Sequence, residues 1–398
     1  MNEQQKALVK ATVPVLKTNG VALTKHFYQR MFTHNPELKN IFNQGHQNSG
    51  RQQEALAMAV AVYAENIDDP SVLLPVVERI AHKHVSLGIR AEHYAIVGRH
   101  LLASIKEVLG DAASDDLISA WAAAYTELAD LFINLESDLY QQATQQEGGW
   151  TGWRPFRIGQ KVQESEEITS FYLYPIDGGK VPTYKPGQYI SVKLFVAEWN
   201  LFQPRQYSLS DAPGNDYLRI SVKRERANAE KPDGQVSNLL HDQFAENAIL
   251  DVSMPLGDFF LNETVQTPVV LLSGGVGITP MVSILNHLVA TQSSRKVHFI
   301  HTCRNNAVHA FKSHVEQLAA AQANVEASFF YDQHTEQDSG IGAAPLAIDH
   351  LLSPELADAE YYLCGPAPFM RHYLSELKRN GVTSERIFAE AFGSGGVN

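Results

Sequence analysis

Positions one helical turn apart repeat through the first part of the chain, as in Val21, Lys25, Tyr28 and Phe32, in Leu73, Val77, Ile80 and His84, and in Leu101, Ile105 and Leu109. With few glycines to interrupt it, that mainly apolar period predicts an all-helical region over residues 1–146. Gln145, Gln146, Glu147, Gly148 and Gly149 follow as a polar, Gly-ended linker. From Trp150 to Leu261 the period falls to two, in Tyr189 to Leu194 and in Tyr217 to Val222, with Pro186-Gly187 and Pro213-Gly214 as turns. From Thr267 onward, short apolar runs (Val269–Leu272, Val297–Ile300, Ala327–Tyr331, Tyr361–Cys364, Ile387–Ala389) alternate with helical stretches. The expected fold is multidomain, α and α/β: an all-helical domain over 1–146, an antiparallel β-barrel over 150–261 and a doubly wound parallel α/β domain over 267–398.

Composition narrows the class. A chain of 398 residues with 44% hydrophobic and 19% charged positions can bury two or three cores. Its formal charge of -12 has the wrong sign for a nucleic-acid binder or for attachment to an anionic membrane. Only Cys303 and Cys364 occur, too few for a disulfide framework, so a reducing, cytoplasmic compartment is expected. Neither a signal peptide nor a membrane span is expected, because the N-terminal run MNEQQKALVKATVPVL is polar and acidic at its start and no apolar stretch approaches about 20 residues.

The run Val269 to Leu272, Ser273, Gly274, Gly275, Val276, Gly277, Ile278, Thr279, Pro280 sets a Gly-rich turn between a buried strand and a helix. Backbone N–H groups there can face a pyrophosphate, and the same sequence also fits a merely tight strand-to-helix connection. Pro280 stands where a third glycine would complete G-x-G-x-x-G. A second turn, Cys364-Gly365-Pro366, follows another buried strand, which puts both turns at the carboxyl edge of one sheet. Upstream, Arg205-Gln206-Tyr207-Ser208 joins a cation, a ring and a hydroxyl on a strand, and Gly234-Gln235-Val236-Ser237 opens a helix.

In this order the four motifs resemble the ferredoxin-reductase family, over residues 150–398. The resemblance implies FAD contacts at Tyr189, Arg205, Gln206, Tyr207, Ser208, Gly234, Gln235, Val236 and Ser237. It implies nicotinamide dinucleotide contacts at Gly274, Gly275, Val276, Gly277, Ile278 and Thr279, with Cys364, Gly365 and Pro366 beside the reacting ring. Glu390, Ala391, Phe392 and Gly393 would bring an aromatic ring over a flavin face. Arg304 could meet the 2'-phosphate of NADPH, but without an Arg cluster NADH is the expected donor.

In the helical part, His84 follows Val76, Val77 and Ile80 at spacings that put it on an apolar face, with Leu87-Gly88 closing its helix. It reads either as a satisfied core residue or as a metal ligand. Tyr28 among apolar neighbours and Gln52 at the head of the stripe Gln52, Leu56, Val60, Tyr63 direct polar groups inward, unless the one simply buries its ring and the other is solvated. Glu136 interrupts the stripe Leu128, Phe132, Leu139, so it is either paired inside or reaches solvent at a helix end.

The segments Phe27 to Leu38, Gln52 to Leu56 and Ile80 to His84 look like the globin of bacterial flavohaemoglobins, and with the reductase behind them the resemblance covers the whole chain. It implies a non-covalent b-type haem whose iron is held by His84, with Tyr28, Gln52 and Leu56 on the oxygen side and Tyr94, Glu136 and Lys83 around the ligand. The implied activity is nitric oxide dioxygenation: NO and O2 become nitrate, with electrons carried from NAD(P)H through FAD to the haem. A haem-dependent reductase of lipid or other hydroperoxides is the rival within the redox class, and a gas-sensing or oxygen-binding globin the rival outside it. A monomer is expected, with O2 and NO as partners and a lipid in the distal pocket as a further candidate.

Overall fold

The computed structural model describes residues 1–228, 232–333, 335 and 338–392. Contacts divide the chain into a unit of Met1–Trp153 with Lys193–Arg205, and a second of Arg154–Val192 with Gln206–Asn398.

The first unit is built on helices α1 (Glu3–Ala11), α2 (Val13–His34), α3 (Gln44–Asn48), α4 (Arg51–Glu65), α5 (Leu74–Ser86), α6 (Ala91–Leu109) and α7 (Asp115–Gln145). Their starts are written locally: Asn2 closes a capping box with Gln5, and Ser114 accepts the Leu117 N–H ahead of Asp115 and Asp116. Phe27, Met31, Tyr63, Ala64, Leu101, Ile105, Ala120 and Trp121 from α2, α4, α6 and α7 form the core. Two positions depart from the sequence stripes. Val21 and Val76 are about half exposed (48% and 53%), because α2 turns Gly20, Leu23, Phe27 and Met31 inward and α5 turns Val77 and Ala81.

The second unit carries two sheets. Strands β1 (Arg154–Gln163), β2 (Ile168–Pro175), β3 (Tyr189–Val196), β4 (Leu201–Ser208), β5 (Leu218–Lys223) and β6 (Ile249–Val252) lie in the order β4-β3-β6-β1-β2-β5, the unit boundary running through β3 and β4. β1 pairs antiparallel with β2 and β6, and β2 with β5. The antiparallel bridge Leu209↔Ile220, with Ser210 N–H on the Arg219 carbonyl at 2.9 Å, joins the two edges into the expected barrel. Helix α8 (Gln235–Asp242) lies between β5 and β6.

The other sheet is parallel throughout, in the order β10-β9-β8-β7-β11-β12. Its members are β7 (Val269–Gly274), β8 (Val297–Cys303), β9 (Val325–Tyr331), β10 (Gly342–Ala343), β11 (Glu360–Gly365) and β12 (Ile387–Ala391), with helices α9 (Ile278–Ala290), α10 (Lys312–Ala321) and α11 (Ala367–Arg379). β7 and β11 are buried at every position, whereas β1 shows buried, half-buried and exposed residues by turns. The contrast follows from covering: helices shield both faces of the parallel sheet, so its strands read as unbroken apolar runs. Among the described residues no helix is long and apolar enough to cross a membrane.

Candidate functional site

α5 stops just after His84 because Gly88 adopts a left-handed φ of +76°, with Ile89 N–H returning to the His84 carbonyl at 3.0 Å. The His84 imidazole leaves this last turn with its side chain 31% exposed. Its Nδ1 lies 2.8 Å from Glu136 Oε1 and 2.9 Å from the Tyr94 hydroxyl, and Tyr94 donates to the same Oε1 at 2.5 Å. Because Tyr94 spends its proton on Glu136, Nδ1 is the N–H donor to both oxygens, and Nε2 is left with the lone pair. Glu136 is only 2% exposed and lies well inside α7, so it is the inward-facing carboxylate rather than a solvated helix end. Burial and then Glu136 push the Tyr94 phenol upward, keeping it protonated. Phe132 lies beneath, its ring centroid 5.5 Å from His84 and 6.1 Å from Tyr94.

This donor set fits a haem. A porphyrin supplies its own nitrogens and asks the protein for one imidazole lone pair, which Nε2 offers. Among the described residues no group of three or more His, Cys, Asp or Glu gathers to hold a metal otherwise.

Elsewhere in the helical unit, Tyr28 is 5% exposed among Phe27, Phe32 and Phe42, with ring centroids at 5.0, 5.8 and 5.7 Å. Burial drives its phenol up, against hydrogen bonding from Gln52 and Gln47, so it remains a proton donor. Leu56 follows Gln52 by one turn of α4 and is half-buried. Gln47 was not legible as a site residue, since α3 is too short to show a period. Its Oε1 takes Gln53 Nε2 at 2.9 Å, while its buried Nε2 has no partner of good geometry. That amide, beside the Tyr28 hydroxyl and without a well-formed hydrogen bond, leaves polar capacity for a ligand.

Beside Gln47, His46 is pushed down to about 4, first by burial and then by the charges of Arg205, Lys83 and Arg51. Lys83 and Arg205 therefore both add positive potential around His46, a setting for an anionic group. Arg205 donates to the Pro204 carbonyl at 2.7 Å and belongs by contacts to the first unit, whereas Gln206, Tyr207 and Ser208 belong to the second.

In the second unit, Gln206 Nε2 donates to Ser191 Oγ at 3.0 Å, Ser208 is buried, and Tyr189 and Tyr207 are half-buried. Gly234 caps α8, and a Cβ there would stand 2.6 Å from Ser237 Oγ and 2.8 Å from Glu225 Cβ. Gln235, Val236 and Ser237 form the first turn, whose amides lack helical partners and can meet a phosphate.

Gly274, Gly275, Val276 and Gly277 join β7 to α9, with Ile278 and Thr279 in the first turn of that helix. A Cβ on Gly277 would lie 2.2 Å from the Cys364 carbonyl oxygen, so glycine is what lets this turn and the Cys364-Gly365-Pro366 turn touch. β7 and β11 are neighbours with β8 and β12 outside them, which places both turns at the topological switch of the sheet, where such folds bind nucleotides. Cys364 is fully buried, and burial followed by the charge of Glu390, its register partner on β12, holds it as a neutral thiol. Ala391 ends β12, Phe392 is 46% exposed, and Gly393 lies outside the described residues. Arg304 forms an ion pair with Glu167.

The globin family model matches residues 25–132, and that of the oxidoreductase NAD-binding domain matches residues 271–374. The flavohemoprotein of Bordetella parapertussis is 59% identical over the full length of both chains. That of Chromobacterium violaceum is 58% identical over 99% of this chain and 98% of its own. Among solved structures, the flavohemoglobin of Malassezia yamatoensis, with bound FAD and heme, superposes with a TM-score of 0.88 at 29% identity, covering 98% of this chain and 99% of that one. The FAD/NAD binding domain of the nitric oxide dioxygenase from Vibrio cholerae gives 0.57 at 37% identity, over 60% of this chain and 98% of that one.

Proposed function

The chain belongs to the flavohaemoprotein family, and from that premise we propose that it is a nitric oxide dioxygenase, turning NO and O2 into nitrate with electrons drawn from NAD(P)H through FAD to a b-type haem. The reading divides the chain into a globin over 1–146, an FAD-binding barrel over 150–261 and a nicotinamide domain over 267–398. Bound, the haem would supply an oxygen-binding iron, the FAD an exchange between two-electron and one-electron steps, and the nicotinamide a hydride.

The observation that carries this reading is the buried Glu136, which holds His84 through Nδ1 together with Tyr94. A carboxylate accepting the Nδ1–H gives the imidazole partial anionic character and makes Nε2 a stronger donor, which suits chemistry on oxygen more than storage of it. Tyr28, with its proton retained, would donate to the oxygen ligand, Gln52 and Gln47 would orient that phenol, and Leu56 would keep water out. Arg205, Tyr207, Ser208 and the first turn of α8 would hold FAD, and the two turns at the end of β7 and β11 the nicotinamide dinucleotide. The pairing of Arg304 with Glu167 supports NADH as the donor. Cys303 and Cys364, both free and buried, are in keeping with a cytoplasmic address.

Steady-state turnover separates this reading from hydroperoxide reduction. With NADH, NO and O2 the account predicts about two nitrates per nicotinamide oxidised, since each nitrate takes up one electron. Faster turnover of an organic hydroperoxide with no nitrate formed would replace it.

A further inference from the structure

Asp211 follows the β4 motif by three residues, and none of the chemistry assigned so far uses it. Its side chain is 13% exposed and fully engaged. Oδ2 accepts the Tyr217 hydroxyl at 2.9 Å and faces the Arg219 guanidinium at 3.3 Å. Oδ1 accepts the Ala212 N–H at 2.9 Å and Asn286 Nδ2 at 2.8 Å. The Asp211 carbonyl takes the Tyr184 hydroxyl at 2.8 Å and Ser283 Oγ at 2.6 Å. Tyr184, Tyr217 and Arg219 belong to the barrel side of the second unit, whereas Ser283 and Asn286 stand on one face of α9, in the parallel-sheet half.

The network goes further on both sides. Asn286 Oδ1 accepts His314 Nε2–H from α10 at 2.7 Å. Arg219 donates to the Ser210 carbonyl, to Ser210 Oγ at 3.2 Å and to the Tyr172 hydroxyl at 3.2 Å, and lies 5.3 Å from the ring centroid of Phe311. For stability alone an apolar contact of the same volume would serve about as well as this pair of a buried Arg219 and a half-buried Asp211, so its specific geometry calls for another reason. The connections it makes are short. Asp211 is three residues from Ser208 in the flavin motif, and Ser283 and Asn286 belong to the rigid helix that begins at the Gly-rich turn.

We propose that Asp211, bonded to Ser283 and Asn286, is the pin that sets the nicotinamide-holding helix against the flavin-holding strand, and that it is a positioning residue for hydride transfer. The proposal rests on the NAD(P)H-to-FAD reading above. In that step the C4–H bond of the dihydronicotinamide breaks with both electrons, an N–H bond forms at flavin N5, and solvent supplies the second proton. The nicotinamide is oxidised and the flavin reduced. Such transfers demand close approach, and a misplacement of about 1 Å can cost about a hundredfold in rate.

The test uses the full-length protein loaded with haem and FAD, mixed anaerobically with NADH or with NADH deuterated at C4. For Asn286→Ala and for Ser283→Ala the limiting rate of flavin reduction should fall about tenfold or more, with the apparent NADH dissociation constant within about twofold of the parent and a larger deuterium isotope effect. Asn286→Asp sets a second carboxylate against Asp211. Its rate should be lower still at neutral pH and recover on acidification, as one proton comes to be shared between the two acids. Among the described residues, the other titratable or charged groups facing this pin are Arg219, His314, Tyr184, Tyr217 and Glu164, all unchanged in the variants. Limiting rates within about twofold of the parent, or a loss confined to NADH affinity, would overturn the pin. So would loss of FAD from Ser283→Ala, which would make the contact part of the flavin scaffold. Failure of NADH and NADPH alike to reduce the parent flavin would instead defeat the functional reading.

Discussion

Glu136, buried in the helical unit, and Asp211, half-buried in the sheet unit, both accept a tyrosine hydroxyl, yet they are answered by different partners. Glu136 meets an imidazole, whose proton and electrons can be shifted by degrees. Asp211 meets an arginine, which stays charged under all ordinary conditions, and an asparagine from another element. The first arrangement can tune a ligand and does little to fix distant parts of the chain. The second cannot tune anything, but it joins two halves of a unit by directional bonds. The difference shows what a buried acid is for: its partner's chemistry decides whether the pair adjusts a reaction or holds a geometry.

The largest effect is expected from removal of Asp211. Asp211→Ala leaves the Arg219 guanidinium buried without its acid, which should cost about 3–5 kcal/mol in denaturant unfolding monitored by flavin fluorescence. The Soret band of the haem should keep its position. A smaller effect is expected on the oxygen side, where Tyr28→Phe removes a hydrogen bond worth about 1.5–3 kcal/mol to a partly charged ligand. Oxygen should leave the ferrous protein about tenfold to a hundredfold faster while NADH oxidation by artificial acceptors is unchanged. An equal off-rate would take Tyr28 out of this role.

Glu136→Gln is the sharpest counterpart to Asp211→Ala, because it keeps size and changes only the acceptor. The haem reduction potential should rise by about 59 mV, equivalent to about a tenfold change in a one-electron equilibrium, and the iron–histidine stretching frequency should drop in resonance Raman spectra. Flavin reduction should not respond. If instead stability collapses and the frequency stays, Glu136 is a pin like Asp211.

The smallest expected effect concerns protons. His309 is held down to about 3 by burial and then by Lys312, against an ordinary value of 6.5, and His301 beside it is also pushed well down. Between those two values the unfolded chain binds the extra proton, so stability present above pH 6.5 is lost as the pH falls toward 3. Melting of the parent between pH 7 and 5 should fall more steeply than that of His309→Gln, by at most about 1.4 kcal/mol per pH unit. Parallel curves would remove His309 from the acid limb.

Much of this was legible in the sequence wherever a period carried it. The stripe Leu128, Phe132, Glu136, Leu139 faces a buried carboxylate inward on α7, and the glycine of Leu87-Gly88 ends α5 behind His84. The apolar runs of β7 and β11 and the turns after them likewise fall where an unbroken buried strand must stop. Gln47 escaped because a five-residue helix has no face to read, and Val21 and Val76 misled because the inward direction is set by what packs against α2 and α5. Asp211 escaped for a different reason: ahead of Pro213-Gly214 it looks like an ordinary turn acid, and only the fold brings α9 to it.

Whether this one chain carries electrons from a nicotinamide to a haem is decided by anaerobic stopped-flow spectra of the parent protein mixed with NADH. Bleaching of the flavin absorbance should be followed by the Soret shift of a ferrous haem. A bleached flavin beside a Soret band that stays ferric would contradict it.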